Sequence, residues 1–517
     1  MPSTLVNSSP ASIDATATFR SHEILFVGAN GFVGKVTLAL LLDRYPDLKH
    51  LHIVVRAKRG FTPRERFDKD VLASPPLKPL VARLDPAVLR DRVSIHRGDI
   101  GEPMCGLDEE IIAQLQGRVG LIINCAGLVE FTPPVDESFK SNVDGVENTV
   151  ALAKRLGAKI CHISTCFVCG ECDGLVEEDE PILGFYPRRK NREDASFQCK
   201  DEIRFMRERI REVYAIARAK GEENSKDTKQ RLSDLGVQRA AQWGWVNTYT
   251  YSKSLGEQLL ASEPDLDYAI VRPAIVEAAL DFPFPGWVEG GRTAAPLIMM
   301  AMSGLRHWPL RPEAPLEVVP VDQVASAILI ASALLMNGVG HRVYQIGTAE
   351  VNPVPLKKLV EWMYADYCKA KGRPHWLMPG VRILTPAKSK RRGQRLLSRI
   401  QTVHEIANGI KRLAQRSNIP GRRPIEKLAR SFRTLGIQVN IREQALLLYQ
   451  PFMHDNRFVF ESGNIREGHA MLSEPDRVRL PWTPEKIDWK HYWMENEVRG
   501  IQKWVQEESS KGRSFKL

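Results

Sequence analysis

Glu23-Ile-Leu-Phe-Val-Gly28-Ala-Asn-Gly31-Phe-Val-Gly34-Lys-Val-Thr-Leu-Ala-Leu-Leu-Leu42 decides the fold. A short apolar run with strand character passes through three glycines into an apolar helical stretch. Glycines at such a junction permit a tight turn, close approach of backbone to a pyrophosphate, and close packing of helix on strand; the helix N-terminus offers unpaired N–H groups to an anion. The G-x2-G-x2-G spacing departs from the commoner G-x-G-x2-G, but its flanks mark a dinucleotide cradle. Its predicted lining is Gly28, Asn30, Gly31, Phe32, Val33 and Gly34.

Outward from this unit, strand-like runs alternate with helical stretches: Glu23 to Gly28, His50 to Arg56, Val93 to His96, Leu121 to Asn124, Ile160 to Ser164 and Tyr268 to Arg272. The alternation predicts an α/β fold, a Rossmann-like doubly wound parallel sheet. Val343 to Gly347 is expected near its edge, and Asp322 to Leu335 as a long helix. Pro181 to Trp243 is charged and helix-prone and interrupts the pattern, so a helical insertion is expected at about 181–243. The predicted organisation is a flexible polar tail at 1–21, a cofactor-binding domain at 22–353, and a mainly helical C-terminal domain at 354–517.

With 43% hydrophobic and 26% charged residues, disorder is excluded as the main state of the 517-residue chain. The longest apolar stretch, Val324 to Met336, falls short of the roughly 20 residues a spanning helix needs. With no secretory signal before Glu23, a cytoplasmic protein is expected. The net charge of +11 is concentrated: Arg382 to Arg433 holds 15 Lys and Arg against two acids. Within this basic segment, 381–433, Leu396, Leu397, Ile400, Val403, Ile406, Ile410 and Leu413 recur at helical spacing. The amphipathic basic face would meet anionic lipid, coenzyme phosphates, an acidic carrier protein or solvent. No reader motif or aromatic interleaving accompanies the charge, so no nucleic-acid partner is expected. Cys166, Cys169 and Cys172 stand at C-x2-C-x2-C spacing without a matching fourth ligand. Small buried thiols, and no metal, are expected there.

At the end of the second strand, Val55-Arg56-Ala57-Lys58-Arg59 places bases where an NAD site would put a carboxylate. Arg56 can pair with a 2′-phosphate, which favours NADPH; Lys58 and Arg59 read as solvated loop charge. Asp99 and Ile100 follow the third strand, near an adenine amine. Asn124-Cys-Ala126-Gly127 ends the fourth strand with small residues against which a cofactor could lie; both segments also suit ordinary turn chemistry. Tyr249 and Lys253, four apart on a predicted helix, share a face, and a nearby ammonium would lower the tyrosine pKa. Tyr251 would point elsewhere and pack. Ser164-Thr165 would supply a hydroxyl to a substrate carbonyl.

Together with Ser-Asn142-Val-Asp-Gly and Val271-Arg-Pro273-Ala-Ile, these motifs resemble the extended short-chain dehydrogenase/reductases. More narrowly, the chain is similar to the alcohol-forming fatty acyl-CoA reductases. That likeness rests on Leu316-Glu-Val-Val-Pro-Val-Asp322, on Tyr344-Gln-Ile-Gly-Thr with Asn352-Pro353, and on a tail like the family's male sterility C-terminal domain. The tail carries Phe458-Val-Phe460-Glu-Ser-Gly-Asn464, Leu472-Ser-Glu-Pro-Asp476-Arg477, Ile487-Asp-Trp489 and Gly500-Ile-Gln-Lys503. The resemblance implies catalytic Thr165, Tyr249 and Lys253, with Ser164 in reserve, and Lys253 and Pro273 also at the cofactor. It implies reduction of a long-chain acyl-CoA to alcohol by NADPH through a fatty aldehyde. Trp287, Met299, Met300, Met302 and Trp308 are candidate walls for the acyl chain or ordinary core. The alternatives are an aldehyde-forming thioester reductase acting on acyl-CoA or carrier-bound groups, and a non-catalytic NADPH-binding sensor.

Overall fold

A computed structural model describes residues 12–57, 60–84, 86–291, 293–372, 379–416 and 422–506. Lys58, Arg59 and the first 11 residues of the expected tail lie outside the described residues, as does the Leu413 side chain. Seven parallel strands form the central sheet: β1 (Glu23–Val27), β2 (His50–Val55), β3 (Val93–Arg97), β4 (Val119–Asn124), β5 (Lys159–Ile163), β6 (Tyr268–Pro273) and β7 (Val343–Ile346), in the order β7-β6-β5-β4-β1-β2-β3. The chain leaves β1 toward β2 on one side and reaches β4 on the other, so a topological switch point opens beside the C-terminal end of β1. β1, β2 and β4 are almost wholly buried, which is why they read as continuous apolar runs without alternation.

Two compact units make up the chain. The first holds residues up to Gly290, Glu317–Pro353 and the segment from Val459 onward; the second holds Gly291–Leu316 and Val354–Phe458. The division therefore departs from a single cut at 353: residues after Val459 complete the first unit. Glu317, buried, accepts hydrogen bonds from Thr348 N (3.0 Å), Ala349 N (3.2 Å) and Phe460 N (2.7 Å), and Phe460 stacks edge-on against Phe167. A buried carboxylate needs several such donors, and Phe460 N is one that only the returning chain supplies.

The expected tail also differs. Residues 15–21 form α1 (Ala15–Ser21), N-capped by Asp14, whose Ala15 N and Thr16 Oγ1 donate to Asp476 at 2.8 and 2.9 Å. Ser, Ala and Thr make a polar-looking run, yet Ala15, Thr18 and Phe19 are buried on one face. Further along the first unit, α2 (Phe32–Arg44) follows the glycine loop, α3 (Gly145–Leu156) follows β4, and α4 (Cys199–Ala219) with α5 (Lys226–Trp243) form the predicted insertion. The insertion packs Phe197, Ile203, Met206 and Leu232 against Trp245 and Tyr251 at the start of α6 (Thr248–Ala261). α7 (Val321–Met336) is buried all round between the sheet and α2, as its unbroken apolar sequence requires. In the second unit, α8 (Pro386–Arg416) and α9 (Arg422–Gln450) form a long helical hairpin. Trp308 is buried in this unit beside the pairing of His307–Trp308 with Arg382–Ile383, so it serves the core. Among the described residues no helix is long and apolar enough to cross a membrane.

Candidate active site

Gly28 takes φ +90°, and a Cβ there would stand 2.5 Å from Ala126 N; one at Gly34 would stand 2.2 Å from Gly28 O. Both glycines are demanded by backbone packing. Gly31 differs: a Cβ would meet only Gly28 O at 3.5 Å, so its face is open. It N-caps α2 without a side-chain bond, leaving the first N–H groups of a 13-residue helix for an anion. Asn30 Nδ2 is buried with no hydrogen-bond partner, a donor aimed at something the protein does not supply. This arrangement fits a dinucleotide pyrophosphate.

At the adenosine end, Arg56 Nη1 lies 4.0 Å from Asp99 Oδ2 with most of its side chain exposed. Asp99 Oδ1 accepts from Gly101 N (3.0 Å), which holds the carboxylate in its turn. Arg66, whose Nη1 hydrogen-bonds the Arg56 carbonyl, brings a second guanidinium to the same strand end. Sequence spacing missed it, although Thr62 and Glu65 form the capping box that starts its helix. Ile100 packs on Gly145, and its carbonyl accepts from Asn148 Nδ2 (2.8 Å).

At the other end of the crevice, β4 stops at Asn124, whose Oδ1 accepts from Ala126 N (3.1 Å) and turns the chain into Gly127. A Cβ on Gly127 would lie 2.9 Å from both Asn142 Oδ1 and Lys253 Nζ. Asn142 accepts from Leu128 N (2.9 Å) and donates to Leu128 O and Ser252 Oγ (both 3.0 Å). It thereby ties the loop after β4 to α6. Its place in a π-type turn, Lys140–Asp144, is what swings it there; the motif around it was legible, its role was not.

The catalytic candidates come together on α6 and at the end of β5. Asn247 caps α6 by accepting from Thr250 N (2.9 Å), which sets Tyr249 in its first turn. The Tyr249 hydroxyl hydrogen-bonds Thr165. Thr165 Oγ1 donates to Pro273 O (3.3 Å) and accepts from Phe167 N (3.3 Å), so strand β6 aims it. Ser164 Oγ is buried without a partner. Lys253 Nζ donates to Ile163 O (2.8 Å). Its ammonium is pushed down to about 8 by burial, opposed by Glu257. Glu257 in turn forms a buried pair with Arg272 (Nε to Oε1, 3.0 Å), clamping α6 to β6. The expected lowering of the tyrosine pKa is not what the structure gives. Burial pushes Tyr249 up to about 12, with the Thr165 hydrogen bond opposing. Tyr249 is thus held as a neutral donor. Tyr251 is fully buried and hydrogen-bonds Glu202 in the insertion, in keeping with packing.

Cys166 and Cys169 are thiols raised well above their usual range by burial, and Cys172 is raised too. Cys166 Sγ donates to Arg272 O (2.7 Å). Among the described residues no cluster of metal-ligating side chains occurs. Trp287, expected in an acyl-chain wall, packs its ring 5.1 Å from Phe32, and Glu289 pairs with buried Lys35 (2.5 Å), so residues 287–289 cover the start of α2.

Residues 26–328 match the male sterility protein model of the NAD-binding type. The probable fatty acyl-CoA reductase 5 of Arabidopsis thaliana is 30% identical over 352 residues, 66% of this chain and 69% of the relative. The alcohol-forming fatty acyl-CoA reductase of Simmondsia chinensis is 29% identical over 356 residues, 67% and 70% of the two chains. Among solved structures, the terminal R domain of the myxalamid biosynthetic pathway superposes with a TM-score of 0.53 at 19% identity, covering 89% of each chain. The reductase domain of a non-ribosomal peptide synthetase from Mycobacterium tuberculosis superposes at 0.50 and 17%, covering 94% and 95%. At these identities the solved structures speak for the fold.

Proposed function

The chain belongs to the male sterility-type fatty acyl-CoA reductases, and from that premise we propose that it reduces long-chain fatty acyl-CoA to fatty alcohol with NADPH, through an aldehyde. The observation that carries the reading is the Tyr249–Thr165 hydroxyl pair beside Lys253, at the strand ends next to the open glycine cradle. Bound NADPH supplies the hydride. Gly31, Asn30 and the first turn of α2 would hold its pyrophosphate, Arg56 its 2′-phosphate, and Lys253 the ribose next to the nicotinamide, beside Ala126, Gly127 and Pro273.

Thr165 and Tyr249 would meet the carbonyl oxygen that gains charge, the Thr165 proton turning to it from the Pro273 carbonyl, and two donors in a buried site stabilise an oxyanion far better than water does. In the first round collapse of that oxyanion expels the thiol and leaves an aldehyde. In the second the same oxyanion has no leaving group, and Tyr249, held neutral by burial, gives it the proton that makes an alcohol. Arg272 and Glu257 keep the helix bearing Tyr249 at strand β6, whose Pro273 carbonyl accepts from Thr165.

The test is NADPH oxidation with a long-chain acyl-CoA, followed by chromatographic identification of the product. Two NADPH per thioester and a fatty alcohol support the proposal. One NADPH and an accumulating aldehyde would reassign the protein to aldehyde-forming thioester reduction, and tight NADPH binding with no turnover of acyl-CoA or aldehyde would leave a cofactor sensor.

A further inference from the structure

The α8–α9 hairpin leaves a basic and apolar face uncovered. Its inner seam is short-ranged: Gly393, Ile400 and Ala407, seven apart on α8, are buried, Gly393 lying against Glu443 and Ile400 against Gly436 of α9. Beside that seam Leu396, Val403, Ile406 and Ile410 stay exposed, Ile406 to 57% and Ile410 to 49%. At 100° per residue these four occupy one sector roughly 80° wide. Arg392 and Arg399 fall inside the same sector and Lys388 and Arg395 at its edge, all exposed, whereas the one acid of this stretch, Glu405, points to the opposite side. α9 repeats the pattern: exposed Ile437, Ile441 and Leu448 line up with exposed Arg430 and Arg433.

An exposed helix face usually carries charge without large aliphatics, and a partner-binding apolar groove usually lacks a row of like charges. A surface that is anionic at its boundary and apolar just beneath satisfies both residue types on one face. Nucleic acid would use the bases and leave the isoleucines in water; an ordinary protein groove would bury the arginines. We propose that this hairpin docks the protein onto an anionic lipid bilayer, Arg392, Arg395 and Arg399 at the phosphates and Val403, Ile406 and Ile410 among the upper acyl carbons. The proposal is independent of the reaction assigned above, since it rests on the hairpin alone.

The test uses the full chain in vesicle co-sedimentation, comparing phosphatidylcholine with vesicles holding about 30% phosphatidylglycerol, a composition with ample negative surface potential. Two variants are placed beside the wild type: I406D/I410D, which spoils the apolar part, and R392E/R395E/R399E, which spoils the charge. All five positions are exposed, and far-UV circular dichroism checks the fold. The expected result is binding to anionic vesicles that survives moderate salt in the wild type and falls at least about tenfold in each variant. Unchanged sedimentation of I406D/I410D would overturn the proposal, because it would make the attachment purely electrostatic. So would absence of vesicle binding together with a wild-type dimer that I406D/I410D dissociates, which would make the face a seam between two copies of the chain.

Discussion

Lys253 holds the Ile163 carbonyl and lies beside Gly127, where the proposed site would set the nicotinamide ribose, and burial has already pushed it down to about 8. The sign follows. Below that value it is a cation; above it the charge is lost while Tyr249, pushed up to about 12, keeps its proton. Plotted against pH, kcat/KM should therefore fall as pH rises through about 8, well before the tyrosine ionises. Tyr249→Phe removes the second proton donor but no packing surface, so turnover should drop roughly 10²- to 10⁴-fold with NADPH affinity unchanged, as read by cofactor fluorescence titration. Arg56→Ala should weaken NADPH by about tenfold or more and NADH hardly at all, since only the 2′-phosphate makes a charge-assisted bond worth about 1.5–3 kcal/mol. Equal losses would hand that role to Arg66. Of these residues, Tyr249, Lys253 and Arg56 could be named as candidates from spacing or strand-end position, and Thr165 over Ser164 from the family resemblance. Asn142, Glu257 and Arg66 were not, because each acts through a partner far off in sequence.

α6 is only as well placed as its contact with β6. Arg272 and Glu257 are both buried, and their pair joins the helix carrying the proton donor to the strand whose Pro273 carbonyl aims Thr165. Glu257→Ala leaves a guanidinium in the core without its counter-charge, at a cost of about 3–5 kcal/mol, visible in urea unfolding. Elements of this kind were readable in outline. The strands and α7 declare themselves as apolar runs of the right length, and their boundaries came out within two residues. α1 escaped because its seven residues, two Ala, two Thr, one Phe, one Arg and one Ser, offer too little periodicity; its place is decided by Asp476.

On the scale of the molecule, strands β2 and β3 share a row of imidazoles that ends on Glu23 of β1. His52 Nδ1 meets His96 Nε2 at 3.1 Å, His52 Nε2 meets Glu23 Oε2 at 3.0 Å, and the rings of His50 and His52 lie 4.6 Å apart. Burial lowers all three, His96 to about 4. The unfolded chain takes up these protons near pH 6.5 and the folded sheet takes them up only at lower pH, His96 not until about 4, so stability is lost as pH falls below about 6.5. Thermal unfolding should drop by several degrees between pH 7 and 5, and His96→Asn should flatten that dependence. The division of the chain was the part least legible from sequence: composition changes near Pro353, but the return of residue 459 and beyond to the first unit is written in Glu317 and Asp476, buried acids whose donors lie elsewhere.

The hydrogen bond from Ala15 to Asp476 spans 461 positions. At about 5–20 residues per second of synthesis, the N-terminal helix emerges from the ribosome roughly 20–90 s before the carboxylate that will hold it. For that interval the glycine loop, β1 and most of the sheet exist without Glu317's donor from Phe460 and without the segment that closes the first unit. Both contacts wait on residues translated long after the segments they hold, so the first unit is completed only once Phe460 and Asp476 have been made.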